Sequence, residues 1–181
     1  ALSSAASDVY KRQLKIAQEK GYAEKDPTAD VEGYDACRKV CILASLAFGK
    51  HVYPNQVETE GITNITLEDV SYIENAGGVI KLLGQIKYIN DNEIAAFVSP
   101  AVVYNGSQLA SVKDVFNAIL VRGDAVGDVC FYGPGAGKLP TASAVVADII
   151  DCAKHSERKK IFGWGAGNAV SYTHLTLPTI R

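Results

Sequence analysis

Residues 21–49 read GYAEKDPTADVEGYDACRKVCILASLAFG and pass from an acidic, proline-broken loop into a helix that starts charged and ends apolar. Counted from Cys37 at about 100° per residue, one helical stripe holds Cys37, Val40, Cys41, Ala44, Ala47 and Phe48. Asp35 and Lys39 share the opposite side, one turn apart, and that side continues with Ile42 and Leu46. A plain surface helix keeps its polar face polar throughout. A face that opens on an ion pair and closes on leucine is therefore expected to be buried at its far end, with Asp35 and Lys39 at the mouth of a pocket. Asp26-Pro27 excludes regular helix just upstream. Asp30 is the expected N-cap, Glu32 lies in the first turn where the helix dipole favours an anion, and Gly49 supplies the stop.

Working outward, LKIAQEK at residues 14–20 reads as the last turns of a helix closed by Gly21. Downstream, a turn at Tyr53-Pro54-Asn55 leads into VETEGITNIT, a short strand feeding a second helix. Thr66 is expected to cap that helix, with Asp69 three residues on completing an acidic capping box, and Gly77-Gly78 to end it. Two strands follow, Val79 to Ile89 and Ile94 to Tyr104, joined by Asn90-Asp91-Asn92. Pro100 must mark an edge, a bulge or a break in the second of them. A short helix is expected over 108–115, then strands over Phe116 to Val121 and Val126 to Tyr132 around a turn at Arg122-Gly123-Asp124. The glycine-rich GPGAGKLP opens a closing helix over Thr141 to Lys154, whose Ala142, Val145, Val146, Ile149, Ile150 and Ala153 form a single stripe. The irregular alternation of helices and strands predicts an α/β (or α+β) fold: a single mixed β-sheet with helices packed on it.

The 181 residues suit one domain of ordinary size, and 48% hydrophobic content is enough for a sizeable core. A net charge of −2 offers no bulk attraction to nucleic acid or to an anionic membrane. No apolar run approaches the ~20 residues that cross a bilayer, and ALSSAASDVYKRQ lacks the layout of a secretory signal. A cytoplasmic protein with neither nucleic acid nor membrane as partner is the expectation. Cys37 and Cys41 share a helical face, but no histidine or second close cysteine pair accompanies them, so no structural metal is expected.

Two groupings carry candidate chemistry. Glu24, Asp26, Asp30, Glu32 and Asp35 crowd a loop–helix junction just before Arg38 and Lys39. Such acid density suits a ligand bearing an amino group, because a carboxylate binds an ammonium through charge-assisted hydrogen bonds. A partly buried Lys39 could then donate or relay a proton. On composition alone the plainer alternative is favoured: a solvated acidic helix start whose Asp35–Lys39 pair merely stabilises the helix by a few tenths of a kcal/mol. The second grouping is GPGAG at Gly133 to Gly137. Its glycines permit close backbone approach by a ligand, or simply make a tight turn. It is not a Walker A loop, since Tyr132 and Leu139 stand where a glycine and a hydroxyl belong; nor is it G-x-G-x-x-G, since Lys138 or Pro140 falls on the third glycine. GWGAGN at 163–168 fails the same fingerprint, with Asn168 in the third place, and is assigned no role.

The stretch at 21–49, the segments EGITNIT and IKLL, and FYGPGAGKLPTASAVVADI together resemble the catalytic region of homoserine dehydrogenases, over roughly Leu14 to Lys154. The resemblance implies NAD(P)-dependent interconversion of L-homoserine and L-aspartate 4-semialdehyde, on the route to threonine and methionine. It implies substrate binding by Gly21, Glu24, Asp30 and Asp35, proton transfer by Lys39 beside Asp35, and a dinucleotide contact at Gly135. Either NAD or NADP would serve as cofactor, in a homodimer. The nucleotide-binding Rossmann domain that opens this family has no counterpart before Leu14, and with it go the residues the family uses for a sodium ion and a second lysine. Residues 1–13 and the closing VSYTHLTLPTIR (170–181) resemble translated sequencing-adaptor read-through. The expected layout is a non-native leader at 1–13, a catalytic domain at 14–155 and a tail at 156–181. The acids, Lys39 and the Gly133–Gly137 loop are expected to converge on one pocket. The competing expectation is a non-catalytic dimerisation module, or an inactive fragment that retains only the fold.

Overall fold

The computed structural model of the chain describes residues 14–19, 25–90, 93–114, 116–135, 137–158, 161 and 163–166. Helix α1 covers 14–19, followed by α2 (Thr28–Val31), α3 (Tyr34–Phe48) and α4 (Leu67–Asn75). Strands β1 (Glu58–Thr59), β2 (Gly78–Asn90) and β3 (Glu93–Tyr104) make a mixed sheet in the order β1-β3-β2, with β1 parallel to β3 and β2 antiparallel to it. Strands β4 (Phe116–Gly123) and β5 (Gly127–Pro134) form a hairpin, and α5 (Lys138–Lys154) closes the succession.

The core lies where α3 crosses the sheet. Cys37, Val40, Cys41 and Ala44 pack with Val52, Val57, Ala96 and Val98, flanked by Leu82, Ile86 and Ile94. Gly84 of β2 makes this possible: a side chain there would collide with Val40 Cγ2, so the helix settles directly onto the strand. Ser45, which the apolar stripe did not include, is buried too. Its hydroxyl donates to the Cys41 carbonyl at 2.7 Å and accepts from the Val52 N–H at 2.9 Å, so a polar atom joins the core with both roles filled. Ala47, placed in the stripe, is exposed instead.

Several local expectations hold. The Thr66 hydroxyl accepts from the Asp69 N–H at 3.1 Å, while the Asp69 carboxylate accepts from the Thr66 N–H and hydroxyl at 2.9 and 2.6 Å. Those donations from Thr66 hold the Asp69 carboxyl below its usual range. Pro100 stands opposite Leu82, beyond the reach of β1, so β3 has a single neighbour where its missing N–H falls.

Other expectations need correction. The long helix does not run from Asp30: Asp30 lies inside the separate, one-turn α2, and α3 starts after Gly33 in the left-handed region at φ 77°. Glycine adopts that conformation without steric cost, and there the helix breaks. The hairpin turn falls at 124–126 rather than 122–124, because Arg122 stays in the ladder opposite Asp128 and grips its carboxylate at 2.7 and 2.9 Å. The mixed sheet is present, but it does not take in β4 and β5, which satisfy one another's backbone in a two-stranded ladder of their own. The α5 stripe forms as expected, yet Val145, Val146, Ile149 and Ile150 are all exposed. Finally, 163–166, given no role above, docks beside the end of α3: Gly165 bridges Lys50, and the Trp164 indole N–H donates to His51 Nδ1 at 3.0 Å.

Three outcomes follow. Trp164 is the chain's only tryptophan, so His51→Ala should shift the fluorescence emission to longer wavelength; unchanged emission would show that the contact is not kept in solution. Burial, with Cys37 alongside, pushes the Cys41 thiol from its ordinary 9.0 up to about 11. The unfolded chain thus releases this proton more readily than the fold does. Its contribution to stability is fully present below about pH 9 and is lost as pH rises towards 11, measurable by denaturant titration. In mildly alkaline iodoacetamide, mass mapping should find exposed Cys152 alkylated and Cys41 spared.

Candidate active site

The acids divide by what the local backbone does with them. Asp26 is occupied: its carboxylate accepts from the Thr28 N–H at 3.1 Å and hydroxyl at 2.6 Å, which builds the turn into α2 and lowers the Asp26 pKa. Asp30 lies in the single turn of α2, exposed, and its backbone carbonyl accepts from the Gly33 N–H at 3.3 Å. Asp35 lies in the first turn of α3. The two carboxylates therefore flank the elbow Val31–Glu32–Gly33 rather than sharing one helix.

Lys39 Nζ meets Asp35 Oδ2 at 2.6 Å, one turn apart on α3. Their side chains are 62% and 43% exposed, so the expected partial burial of the lysine is not met within this chain. The same correction applies further along this face, where Ile42 and Leu46 are 54% and 55% exposed. A charged end and an apolar end thus lie together on an uncovered surface. The reason is geometric: α3 turns its other side, from Cys37 to Ala44, to the sheet.

The neighbouring face of α3 borders an open depression of about 430 Å³ lined by Tyr34, Cys37, Arg38, Pro54, Asn55, Val57 and Thr59. Neither Asp35 nor Lys39 lines it. Gly135 follows β5 on an exposed stretch of backbone, where a side chain would collide with that of Asn117 on β4. Among the described residues, no hydrogen bond or ion pair links Gly133, Gly135 or Gly137 to Asp35 or Lys39. Gly21 and Glu24 lie outside the described residues. No group of three or more potential metal-ligating side chains occurs among the described residues.

Sequence reasoning missed the two glycines that shape this region. A side chain at Gly61 would lie 2.6 Å from Glu32 Cα and run into the Val31 carbonyl oxygen, and one at Gly33 would press on Thr59 and Val98 at 3.2 Å. Both glycines were in view, one inside a stretch read as continuous helix and one inside a stretch read as strand.

The family model for homoserine dehydrogenase matches residues 2–150. The chain is 44% identical over 146 residues to a homoserine dehydrogenase of Bacillus subtilis, covering 81% of this chain and 34% of that protein. Against the Corynebacterium glutamicum enzyme it is 42% identical over 181 residues, covering 98% and 40%. Among solved structures, a homoserine dehydrogenase from Thiobacillus denitrificans superposes with a TM-score of 0.78 at 40% identity, over 90% of this chain and 40% of that one. The S. aureus enzyme gives 0.74 at 43%, over 87% and 40%. The chain therefore spans roughly a third to two-fifths of these relatives' length. The match is one of sequence and architecture together: this chain belongs to the homoserine dehydrogenase family.

Proposed function

We propose that this chain is the substrate-binding and catalytic portion of a homoserine dehydrogenase, with residues 14–155 as the working unit. The whole protein would interconvert L-homoserine and L-aspartate 4-semialdehyde with NAD(H) or NADP(H), on the route to threonine and methionine. One observation carries the reading: Lys39 is held at 2.6 Å by Asp35 on an open helix face, with Asp30 across the elbow. An ammonium donor paired with one carboxylate, with a second on the preceding helix, suits an amino-acid substrate whose far end gains or loses a proton.

In this reading Glu24 and Asp30 hold the substrate ammonium, with Gly21 giving close backbone access. Asp35 accepts from Lys39 and sets its direction. When bound, the nicotinamide supplies the hydride that reduces the aldehyde carbon. Lys39 protonates the oxygen as that carbon is reduced; in the reverse direction its neutral amine takes the hydroxyl proton. Gly135 offers its backbone to the dinucleotide, beside the Asn117 side chain. The exposure of Lys39, Ile42 and Leu46 supports a further part of the reading, that other parts of the full protein cover this face and exclude water. The four free thiols suit a cytoplasmic, reducing setting. A net charge of −2 gives no reason to invoke nucleic acid, and no described helix is long and apolar enough to cross a membrane.

The uncovered apolar stripe of α5 favours self-association, and we place the protein in a homodimer. The same observation supports the competing reading, a non-catalytic dimerisation module. Grafting residues 14–155 into a full-length relative separates the two. The graft should form NADPH or NADH in a homoserine-dependent reaction, and Lys39→Ala should lower kcat by at least ~10²-fold. A Lys39→Ala rate close to that of the unsubstituted graft removes Lys39 from proton transfer. A stable dimer that neither binds nor oxidises homoserine favours the module.

A further inference from the structure

We infer that Gly61, acting with Gly33, is a positioning residue that sets the spacing between Asp30 and Asp35 and so tunes the affinity for the amino-acid substrate; this rests on the reading above. The two carboxylates belong to different helices, and their separation is fixed by the elbow Val31–Glu32–Gly33, where α2 ends and α3 begins. Residues 60–62 clamp that elbow. The Glu60 N–H donates to the Val98 carbonyl at 2.8 Å, tying the segment to β3, and the Ile62 N–H donates to the Val31 carbonyl at 2.9 Å, tying it to the end of α2. Gly61, between them, lies against the elbow's own backbone. An added Cβ would stand 2.6 Å from Glu32 Cα and 3.0 Å from Glu32 C, and would overlap the Val31 oxygen.

Those atoms are main chain, so no side chain can rotate away to make room. A methyl group at 61 requires main chain to shift, and because residues 60 and 62 are bonded to β3 and to the end of α2, the shift is passed to the elbow that carries Asp30 and Asp35. Gly33 secures the same elbow from within, at φ 77° with Thr59 Cγ2 and Val98 Cγ1 at 3.2 Å from where its Cβ would be. These neighbours are ends of side chains that can give way, so Gly33→Ala disturbs the same device mainly through its own left-handed backbone, which alanine adopts only with strain. Gly135, by contrast, meets only the Asn117 side chain, on a separate ladder.

The test uses the graft of residues 14–155 in a full-length relative, with steady-state kinetics and thermal melting. Gly61→Ala should raise the KM for homoserine by about tenfold or more, because a displacement near 1 Å is felt at that scale, and should leave the KM for the dinucleotide unchanged. Gly33→Ala should raise the homoserine KM in the same direction by less. A purely structural role predicts a lowered melting temperature and a smaller active fraction with both KM values intact, and that result overturns the inference. If Gly61→Ala fails to fold, Gly33→Ala decides: a normal homoserine KM in the folded variant overturns the proposal. The unsubstituted graft run alongside keeps the two failures apart. A folded graft that does not oxidise homoserine sinks the dehydrogenase reading itself, whereas an active graft with normal KM values in both glycine variants sinks only the clamp.

Discussion

The structure depends on how closely α3 lies on β2, because every feature of the charged helix face is oriented by that contact. Val40 occupies the space that a side chain at position 84 would fill, and Cys37, Cys41 and Ala44 extend the same small-residue seam along the sheet. Small side chains and a facing glycine bring backbone to backbone, so the helix has little freedom to roll. With that side committed to the core, Asp35, Lys39, Ile42 and Leu46 are turned outwards together. Rolling the helix to bury Leu46 would pull Val40 out of its notch.

The same region shows how backbone conformation decides which acids are available to a ligand. Five carboxylates between 24 and 35 look equivalent as composition, but they are not equivalent in place. Asp26 is spent on Thr28, while Asp35 is directed at Lys39. Asp30 is set apart from Asp35 by a left-handed glycine, with Gly61 pressed against the elbow from outside. Charge-assisted hydrogen bonds are strong only where their geometry is held, so the glycines matter to the chemistry although they carry no functional group.

The second half of the described chain is organised differently. The hairpin β4–β5 is satisfied in its own ladder, closed at its turn by the Arg122–Asp128 pair, and α5 carries a well-formed apolar stripe that the described residues leave uncovered. An amphipathic helix gains most of its stability from burying such a stripe. That the relatives are some two and a half to three times longer than the aligned part makes the uncovered surfaces, on α3 and α5 alike, natural places for the rest of such a protein to sit.

What the sequence determined by itself was whatever depends on neighbours a few residues apart: the Thr66–Asp69 capping box, the two long strands, the amphipathic period of α5, the Asp35–Lys39 pairing and, through its motifs, the family. What only the tertiary structure decided was set by distant segments meeting. Gly33 had to be broken out of an apparently continuous helix because Thr59 and Val98 lie against it. Ile42 and Leu46 face outwards because Val40 is held by Gly84, some forty residues on. Ser45 joins the core because the Val52 N–H needs its hydroxyl, and 163–166 finds a place only because His51 and Lys50 are presented to it at the end of α3. Periodicity states which residues share a face; it cannot state which face another part of the chain will cover, since that is settled by steric fit and hydrogen bonding between segments far apart in sequence.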